Sequence, residues 1–549
     1  MMNQIDGIEQ ILDEDLLPQL IVRHATASPD RVFMKQVEGG SQTYAQTHAR
    51  ARAWSQLMRG LGVEPGHKVA RFTPTCMESV NIWVGLGWLG ATDVPINTEF
   101  RGAMLAAILQ SARAEILVCD ARWLEAVHAV ADQLDYLTTV VVIGGPFEVP
   151  TDCRLRHLDG ADLLASATAE ESFEYSGPQP HDVAMVVYTS GTVGVSKAVV
   201  LPWATYAAGA RQFCPPGDAL TSEDVLYLPY PLFHIAGTFW THAIARVGAT
   251  VVLRETFSTS SFWRDIGEYG CTVTHLLGAT ANYIYRQPTR PVDADNTLRM
   301  VSMIPLLKDL RGFERRFDVQ AYSVYGMTEV GVVTRTSLSP EDPSSCGVPF
   351  PGYALRVVNE FDQEVPDGEI GELVVRPLSP WTTFTEYFGM PEATVAAWRN
   401  LWFHTGDGFR RDQQGNYHFV DRIKDSIRRR GENISSMEVE MYVVRHEAVL
   451  ECAAIPVPSE WSEDEVKVCV VVKEGHELTE VELVEFLIAE AMPRFMLPRY
   501  VQIMQEFPKT PTGKIQKNIL RKNSDLSADW DREREQPKSR LGTYVGRSR

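Results

Sequence analysis

The sequence predicts an α/β protein in which a large N-terminal domain of layered α/β sheets precedes a small α+β C-terminal domain. Strands alternate with helices early in the chain, as in Val69–Phe72, Met77–Leu89 and Thr92–Ile96, and this alternation is typical of parallel sheets covered by helices. After about residue 350, short strands are separated by turn signals such as Pro366–Asp367–Gly368. This change from alternating helices and strands to short strands with turns predicts a β-rich subdomain.

The same pattern predicts the domain boundaries. We expect the large domain to span residues 1–421, with the β-rich subdomain at about 345–421. Residues 422–524 combine helical segments at Ser436–Arg445 and Glu480–Ala489 with short strands, and they form the predicted small domain. Residues 525–549 are charged and poor in aromatic side chains, which favours a disordered tail.

Composition excludes several classes of protein. The 549-residue chain has a formal net charge of −19, whereas a nucleic-acid binder needs a basic face. Its eight cysteines form no Cys-x-x-Cys pair, so neither a zinc ribbon nor a disulfide framework is expected. The acidic N-terminus lacks the features of a signal peptide, and no apolar run is long enough to span a membrane. We therefore expect a cytoplasmic protein.

A loop suited to polyphosphate runs from Tyr188 to Lys197, with the sequence YTSGTVGVSK. Glycines let backbone N–H groups curl around an anion, and small hydroxyl side chains add further donors. The spacing differs from that of a Walker A loop, and a flexible surface linker is the alternative interpretation. The Gly85-Leu-Gly-Trp-Leu-Gly90 run matches a dinucleotide fingerprint, but it lies inside an apolar helix rather than after a strand. It therefore predicts core packing.

Three further motifs place reactive side chains near turns. Tyr325-Gly-Met-Thr-Glu329 offers a hydroxyl and a carboxylate for a phosphate and a metal. Trp402-Phe-His-Thr-Gly-Asp407 ends on an acid that would bind a ribose diol, and Pro511-Thr-Gly-Lys514 presents a lysine. Each motif alone is more often a simple turn.

Together and in this order, the motifs resemble those of the acyl-adenylate-forming superfamily, which contains acyl-CoA synthetases, peptide-synthetase adenylation domains and beetle luciferases. The resemblance covers roughly residues 20 to 524. It extends to the segments Gly90–Asn97, Gly347–Pro349, Gly368–Leu373, Asp421–Asp425 and Arg430–Ile434.

The resemblance implies a role for each motif residue. Lys514 would bridge the acid and the α-phosphate, Thr328 would contact that phosphate, and Glu329 would hold Mg²⁺. Asp407 would accept the ribose hydroxyls, Tyr325 would flank the adenine, and Arg422 would reach ribose or phosphate oxygens. Gly326 is a further cofactor-binding candidate. The residues implied to grip the β- and γ-phosphates are Thr189, Ser190, Gly191, Thr192, Gly194 and Lys197.

In this family the small domain rotates between the two half-reactions. The hinge residue would be Lys424, and rotation would bring Gly431 to the site, where a glycine leaves room for the pantetheine arm of coenzyme A. A plain surface charge is the alternative for Lys424.

The acid would bind near Pro229–Trp240, where His234 resembles a residue that gates the acyl site. No Asp or Glu occurs between Pro229 and Leu253, so an amino acid, whose ammonium needs a partner, is not the expected substrate. An apolar or aromatic acid of modest size is expected. The candidate lining residues, each of which could also be core, are His234, Ile235, Ala236, Trp240, Ala279, Met303, Gly326, Met327 and Val330.

Some positions depart from the family pattern. Val193, Ser196 and Ala198 replace the usual Thr, Pro and Gly of the phosphate loop, and Val301–Leu307 is bulky where small residues are usual. In that feature the chain resembles the branch with crotonobetaine/carnitine–CoA ligases, although no cage for a quaternary ammonium can be identified. Arg428–Arg430 either grips the 3′-phosphate of coenzyme A or is a solvated face.

The resemblance thus implies an ATP-dependent, AMP-forming acyl-CoA ligase that uses ATP, Mg²⁺ and coenzyme A, with a homodimer left open. One alternative is an adenylating enzyme that passes its acid, even an oxyacid such as nitrite, to an amine or a carrier protein. The other is a non-catalytic relative that binds nucleotide.

Overall fold

The structure is a computed structural model, and the residues that it describes are 10–166, 177–189, 197–423, 427–429, 432–459, 464–490, 492–510, 513–527 and 529–535. Within these ranges two seven-stranded sheets form the bulk of the large domain. Smaller sheets of two to four strands follow them along the chain. No helix in the described ranges is long and apolar enough to cross a membrane.

The first seven-stranded sheet has the order β7-β6-β5-β3-β4-β8-β9. Its strands are parallel except for the antiparallel pair β8–β9, which flanks the phosphate-loop segment. The elements up to residue 213 are α1 (Leu17–Ala27), β1 (Val32–Gln36), β2 (Ser41–Thr43), α2 (Tyr44–Gly60), β3 (Lys68–Phe72), α3 (Met77–Leu89), β4 (Thr92–Pro95), α4 (Gly102–Ala112), β5 (Ile116–Asp120), α5 (Leu124–His128), β6 (Thr139–Ile143), β7 (Arg156–Asp159), α6 (Gly160–Ser166), β8 (Val183–Thr189), β9 (Lys197–Pro202) and α7 (Trp203–Phe213).

The second seven-stranded sheet has the order β14-β13-β12-β10-β11-β1-β2, so the chain's first two strands complete it. A three-stranded sheet, β15-β16-β17, follows. Its elements are β10 (Val225–Leu228), α8 (Ile235–Val247), β11 (Thr250–Leu253), α9 (Phe262–Tyr269), β12 (Val273–Leu277), α10 (Gly278–Tyr285), β13 (Met300–Ile304), α11 (Leu310–Phe317), β14 (Gln320–Tyr322), β15 (Val324–Met327), β16 (Gly331–Arg335) and β17 (Val348–Pro349).

The two large sheets share one hydrophobic core. Helices α3, α7 and α8 bring the buried side chains of Trp83, Trp203 and Trp240 into the same cluster. Side chains from both sheets join it, including Met185 of β8 and Val251 of β11. The carboxyl ends of the parallel strands, where ligands bind in open α/β sheets, are therefore held in a rigid relationship.

The dinucleotide-like motif is a packing feature, as predicted. It lies in α3, and a Cβ at Gly85 would stand 2.6 Å from the carbonyl oxygen of Ala51. A Cβ at Gly87 would stand 2.7 Å from the ring of Trp203. Both glycines allow neighbouring helices to approach closely, and Gly90 ends α3 in the left-handed conformation (φ 70°).

A four-stranded antiparallel sheet, β18-β19-β20-β21, follows the large sheets and carries Asp407 and Arg422 on its last two strands. Its elements are β18 (Tyr353–Val358), β19 (Gly371–Pro377), α12 (Pro391–Ala397), β20 (Phe403–Arg411) and β21 (Tyr417–Arg422).

The C-terminal part packs a four-stranded sheet, β24-β25-β26-β27, against helices around its own core. Its elements are β22 (Ile427–Arg429), β23 (Glu432–Ile434), α13 (Ser436–Val443), β24 (Val449–Pro458), β25 (Asp464–Val472), α14 (Glu480–Ala489), β26 (Tyr500–Met504), α15 (Lys517–Lys522), β27 (Trp530–Asp531) and α16 (Arg532–Glu535).

The expectation of a disordered tail from residue 525 is wrong for residues 529–535. Strand β27 pairs with β26, and buried Lys467 forms an ion pair with Asp529 at 2.5 Å. Asp531 accepts hydrogen bonds from the Arg499 guanidinium. Because these partners lie far back in the chain, the charged composition of the segment did not indicate its pairing.

Candidate active site

The first wall of the candidate site is the end of the second sheet, where β10 leads to His234 and α8. His234 caps this helix, and its Nδ1 accepts the backbone N–H of Ala236 at 3.2 Å. The side chain faces solvent in the cleft, yet the surrounding protein desolvates it. This desolvation, assisted by the charge of Lys514, lowers the pKa of His234 to about 4. At neutral pH His234 therefore presents an uncharged imidazole.

Behind His234 lies a second neutral histidine. His275 of β12 is buried; its Nδ1 lies 3.1 Å from the hydroxyl of Ser302, and its ring packs edge-on against Tyr230. Burial, with a smaller effect of His234, lowers the pKa of His275 to about 3. His234 and His275 are therefore both uncharged at neutral pH.

A carboxylate and a phenol from separate sheets meet on the opposite wall. The hydroxyl of Tyr325 in β15 donates a 2.6 Å hydrogen bond to Oδ2 of Asp407 in β20. Arg422 places Nε 3.5 Å from the other oxygen, Oδ1. Burial raises the pKa of Asp407, while Tyr325, Arg422 and Lys514 oppose that rise. The carboxylate is thus surrounded by donors and positive charge, as a diol-binding group requires.

Glu329 is the second buried carboxylate and lies just beyond β15. Its Oε1 accepts a 2.9 Å hydrogen bond from Tyr387, and the ammonium of Lys197 sits 4.1 Å from the centre of the Tyr387 ring. Burial raises the pKa of Glu329, whereas Tyr387, Lys197 and Arg422 lower it. One aromatic side chain therefore joins the phosphate-loop lysine to the candidate metal ligand.

The C-terminal domain supplies Lys514 to the same cleft. Its tight turn is closed by a 2.7 Å bond from the Thr510 N–H to the Lys514 carbonyl, and Gly513 adopts φ 78°. The side chain is open to solvent in the cleft, but nearby protein atoms and the charge of Arg422 lower its pKa, against the opposing effect of Asp407. Lys514, Asp407, Arg422 and His234 therefore share one electrostatic environment.

Comparison with known proteins shows the family of this chain. The family described as AMP-binding enzyme matches residues 21–398, and the family described as AMP-binding enzyme C-terminal domain matches residues 438–514. The chain is 31% identical over 492 residues to the crotonobetaine/carnitine–CoA ligase of Salmonella arizonae, covering 87% of this chain and 93% of that protein. The chain belongs to the AMP-binding enzyme family. The ligase of the same name from Citrobacter koseri is also 31% identical, with the same coverage.

Solved structures share the fold of this AMP-binding enzyme. The anthranilate CoA ligase AuaEII in complex with anthranoyl-AMP aligns with a TM-score of 0.82 at 24% identity, covering 93% of this chain and 98% of that one. ATP-bound MatB from Rhodopseudomonas palustris aligns with a TM-score of 0.80 at 25% identity, covering 92% and 98%. The predicted α/β fold and the predicted adenylate-forming family, in its acyl-CoA ligase branch, are both confirmed.

The candidate residues of this AMP-binding enzyme fall into three groups. Lys197, Glu329, Asp407, Arg422, Tyr325, Lys514 and His234 line the cleft through the contacts above. Thr189 ends β8, and its hydroxyl lies 3.4 Å from the Lys197 carbonyl, while Gly326, Met327 and Thr328 lie on or just after β15. The predicted residues that lie outside the described ranges are Ser190, Gly191, Thr192, Gly194, Lys424 and Gly431.

The predicted acid-pocket residues differ in how far they are exposed. Ile235 and Ala236 are the first residues of α8, next to His234, and both are buried. Ala279 is exposed at the start of α10. The side chains of Trp240, Met303 and Val330 have no exposed surface.

Met303 points away from the cleft, because side chains of β13 alternate between faces. Ser302 faces His275, whereas Met303 packs in the cluster formed with α9 and α11. The prediction that Met303 lines the acid site is therefore wrong. Some of the bulky side chains of Val301–Leu307 lie on the face of the sheet that points away from the cleft.

Of the three arginines at 428–430, the side chain that the structure describes is that of Arg429. Arg429 is buried, donates to the carbonyl oxygens of Phe495 and Leu497, and pairs with Glu465 at 2.6 Å. This arginine therefore holds the C-terminal domain together and is not available to a coenzyme.

Sequence reasoning missed Tyr387 and His275. Tyr387 follows no motif, and its role depends on an isolated bridge to Val199 that brings it beside Lys197. His275 lies in the apolar strand VTHLL, and a single histidine in such a strand is the sequence feature that indicates a candidate site residue.

A separate cavity of about 690 Å³ lies behind α7 and α8. Arg23, Arg211, Arg246 and Arg335 line it, and no described candidate residue does. It is therefore distinct from the candidate active site.

Proposed function

We propose that this AMP-binding enzyme joins a carboxylic acid to coenzyme A with ATP, releasing pyrophosphate and AMP. The proposal rests on one observation: Lys514 lies close enough to Asp407, Arg422 and His234 for electrostatic interaction with each of them. The charge of Lys514 acts on both Asp407 and His234, and we propose that this lysine contacts the acid and the α-phosphate together.

In the first half-reaction, an oxygen of the acid attacks the α-phosphorus, and the bond to pyrophosphate breaks. Lys514 stabilises the negative charge that gathers on the carboxylate and phosphate oxygens. Asp407 and Tyr325 position the ribose, and Lys197 meets the outgoing phosphates. The product is a mixed anhydride of the acid and AMP.

Mg²⁺ is proposed as the ion that ATP brings to Glu329. This buried carboxylate has a raised pKa because of desolvation, so a cation would favour its charged form. Mg²⁺ characteristically uses one or two carboxylates together with phosphate oxygens, and bound there it would neutralise phosphate charge.

In the second half-reaction, a thiolate attacks the acyl carbon and AMP leaves. Lys514 occupies the cleft in this conformation, and we propose that the domain beginning near residue 422 rotates to withdraw it. Rotation would bring Gly431 to the acyl site for the pantetheine arm. The proposed large domain ends near residue 421, with its β-rich part from about 345. The oligomeric state, including a homodimer, stays a prediction.

We propose a neutral apolar or aromatic acid of modest size as the substrate. His234 and His275 are uncharged at neutral pH, and no acidic residue lies between Pro229 and Leu253. Trp240 packs against Phe213 and His275 with no exposed surface. It offers no open face for a quaternary ammonium.

The test is a panel of carboxylic acids, read as AMP formation and as thioester mass with and without coenzyme A. A matched pair, one acid ending in a trimethylammonium group and one in its neutral tert-butyl isostere, isolates the effect of charge. We expect a thioester only with coenzyme A, and a higher kcat/KM for the neutral member. Acid-dependent AMP without thioester would overturn the ligase proposal; preference for the cationic acid would overturn only the pocket assignment.

A further inference from the structure

Three side chains of types that bind metal ions converge beside the edge strand β7 of the first sheet. One ligand atom from each of His128, Cys153 and His157 lies within 4.8 Å of the other two. The Nε2 atoms of the two histidines are 2.9 Å apart, and their rings meet edge-on with centroids 5.0 Å apart. His128 ends α5, His157 lies in β7, and Cys153 precedes that strand.

The two imidazole nitrogens lie nearly at the spacing of ligands in a transition-metal site, and the Cys153 sulfur lies within 4.8 Å of both. Zn–N bonds of about 2.0 Å and Zn–S bonds of about 2.3 Å place tetrahedral ligand atoms roughly 3.3–3.5 Å apart. The 2.9 Å separation of the imidazole nitrogens needs to open by only a few tenths of an ångström. Without a metal, two neutral imidazoles at this distance form one N–H···N hydrogen bond. On metal binding the donor ring would carry its proton on Nδ1 instead, which frees its Nε2 lone pair for the ion.

The surroundings favour neutral ligands with available lone pairs. Burial and the mutual effect of the two rings lower the pKa of His128, and burial lowers that of His157. Cys153 packs against the hydrophobic cluster that includes Phe147. Glu125, one turn before His128, contributes negative charge nearby, which would complement a bound cation.

The position separates this group from the adenylation chemistry. Strand β7 is one edge of the first sheet and β9, which begins at Lys197, is the other. Six strand spacings of about 4.8 Å put roughly 29 Å between those edges. A ligand at β7 would therefore act on the fold of the first sheet rather than on bound ATP.

We propose that His128, Cys153 and His157 bind one borderline divalent metal ion of the Zn²⁺ type, with water in the fourth position. The Cys153 thiol releases its proton to solvent on binding, since thiolate is the ligand form. The ion would connect the end of α5 to the edge strand β7 and stabilise that edge of the sheet.

The experiment uses the full chain without an affinity tag, stripped by a chelator and titrated with Co²⁺. We expect one Co²⁺ per chain with a thiolate-to-cobalt charge-transfer absorption. Cys153→Ser should abolish that absorption, and His157→Ala should weaken the affinity at least tenfold. Cys76→Ser and His476→Ala, at positions outside the group, are matched controls and should change neither.

A second measurement uses the unmutated protein, so it tests the proposal even if the variants fail to fold. Zn²⁺ should protect the peptide containing Cys153 of the unmutated protein from alkylation, while the peptide containing Cys346 reacts equally with and without Zn²⁺. Absence of stoichiometric Co²⁺ binding, binding unchanged in both ligand variants, or no protection of Cys153 would each overturn the proposal. These readouts involve no turnover, so they are independent of the proposed ligase activity.

Discussion

The Tyr325 hydroxyl donates a 2.6 Å hydrogen bond to the Asp407 carboxylate, joining a three-stranded sheet to a four-stranded one at the candidate ribose site. The bond orients the carboxylate, and Arg422 approaches its other oxygen. Two variants of this pair separate the carboxylate's charge from its orientation.

Asp407→Asn removes the charge and keeps the shape. We expect the kcat/KM for ATP to fall roughly 10- to 100-fold, because a hydrogen bond to a charged group contributes about 1.5–3 kcal/mol. Tyr325→Phe removes only the orienting bond and should cost several-fold. Pyrophosphate exchange measured against ATP concentration gives both values. A larger loss in Tyr325→Phe than in Asp407→Asn would contradict the assignment of the carboxylate as the direct ligand.

Lys514→Ala is expected to separate the half-reactions. Adenylation should fall on the order of 10²–10³-fold, as when a preorganised donor to a developing charge is removed. Thioester formation from a supplied acyl-adenylate should be retained, because the proposed rotation withdraws the lysine in that step. Lys509→Ala is the control, since Lys509 pairs instead with Glu451 at 2.7 Å. Equal loss of both steps in Lys514→Ala would refute the domain rotation.

Tyr387→Phe isolates one hydrogen bond to Glu329. The ring that faces Lys197 is kept, while the hydroxyl that lowers the pKa of Glu329 is lost. The pKa of Glu329 should therefore rise, so that the carboxylate becomes protonated at a higher pH. We expect the acidic limb of the kcat/KM profile to move to higher pH and the requirement for Mg²⁺ to increase. An unshifted profile would show that this bond does not tune Glu329.

Two buried histidines predict acid sensitivity. Burial lowers the pKa of His242 to about 4 and that of His275 to about 3, below the unfolded value of about 6.5. Because the unfolded chain binds the extra protons, stability is complete above about pH 6.5 and is lost as pH falls toward the folded pKa values. Each histidine should contribute a slope of up to about 1.4 kcal/mol per pH unit.

Urea unfolding between pH 7 and pH 5 measures that slope. His275→Gln should reduce it, whereas His476→Gln, at an exposed position, should leave it unchanged. A slope that is the same in the unmutated protein and in His275→Gln would contradict the assignment.

Local pattern predicted the elements well where a segment's own side chains decide its structure. The apolar run Met77–Leu89 is a helix with those bounds, and Glu480–Ala489 is also a helix with the predicted bounds. The ordered motifs also identified Lys197, Glu329, Asp407 and Lys514, because each belongs to a short segment with a typical spacing.

Distant pairing decided the rest. The side of the sheet on which Met303 lies, the bridge that brings Tyr387 to Glu329, and the strand at Trp530–Asp531 all depend on partners far away in sequence. The convergence of His128, Cys153 and His157 has the same origin. The sequence by itself thus determined the family, the order of elements and the segments that carry the candidate site residues, since these follow from local periodicity and spacing. Only the tertiary structure decided which side chains meet, because strand register and sheet order bring together residues that share no local signal.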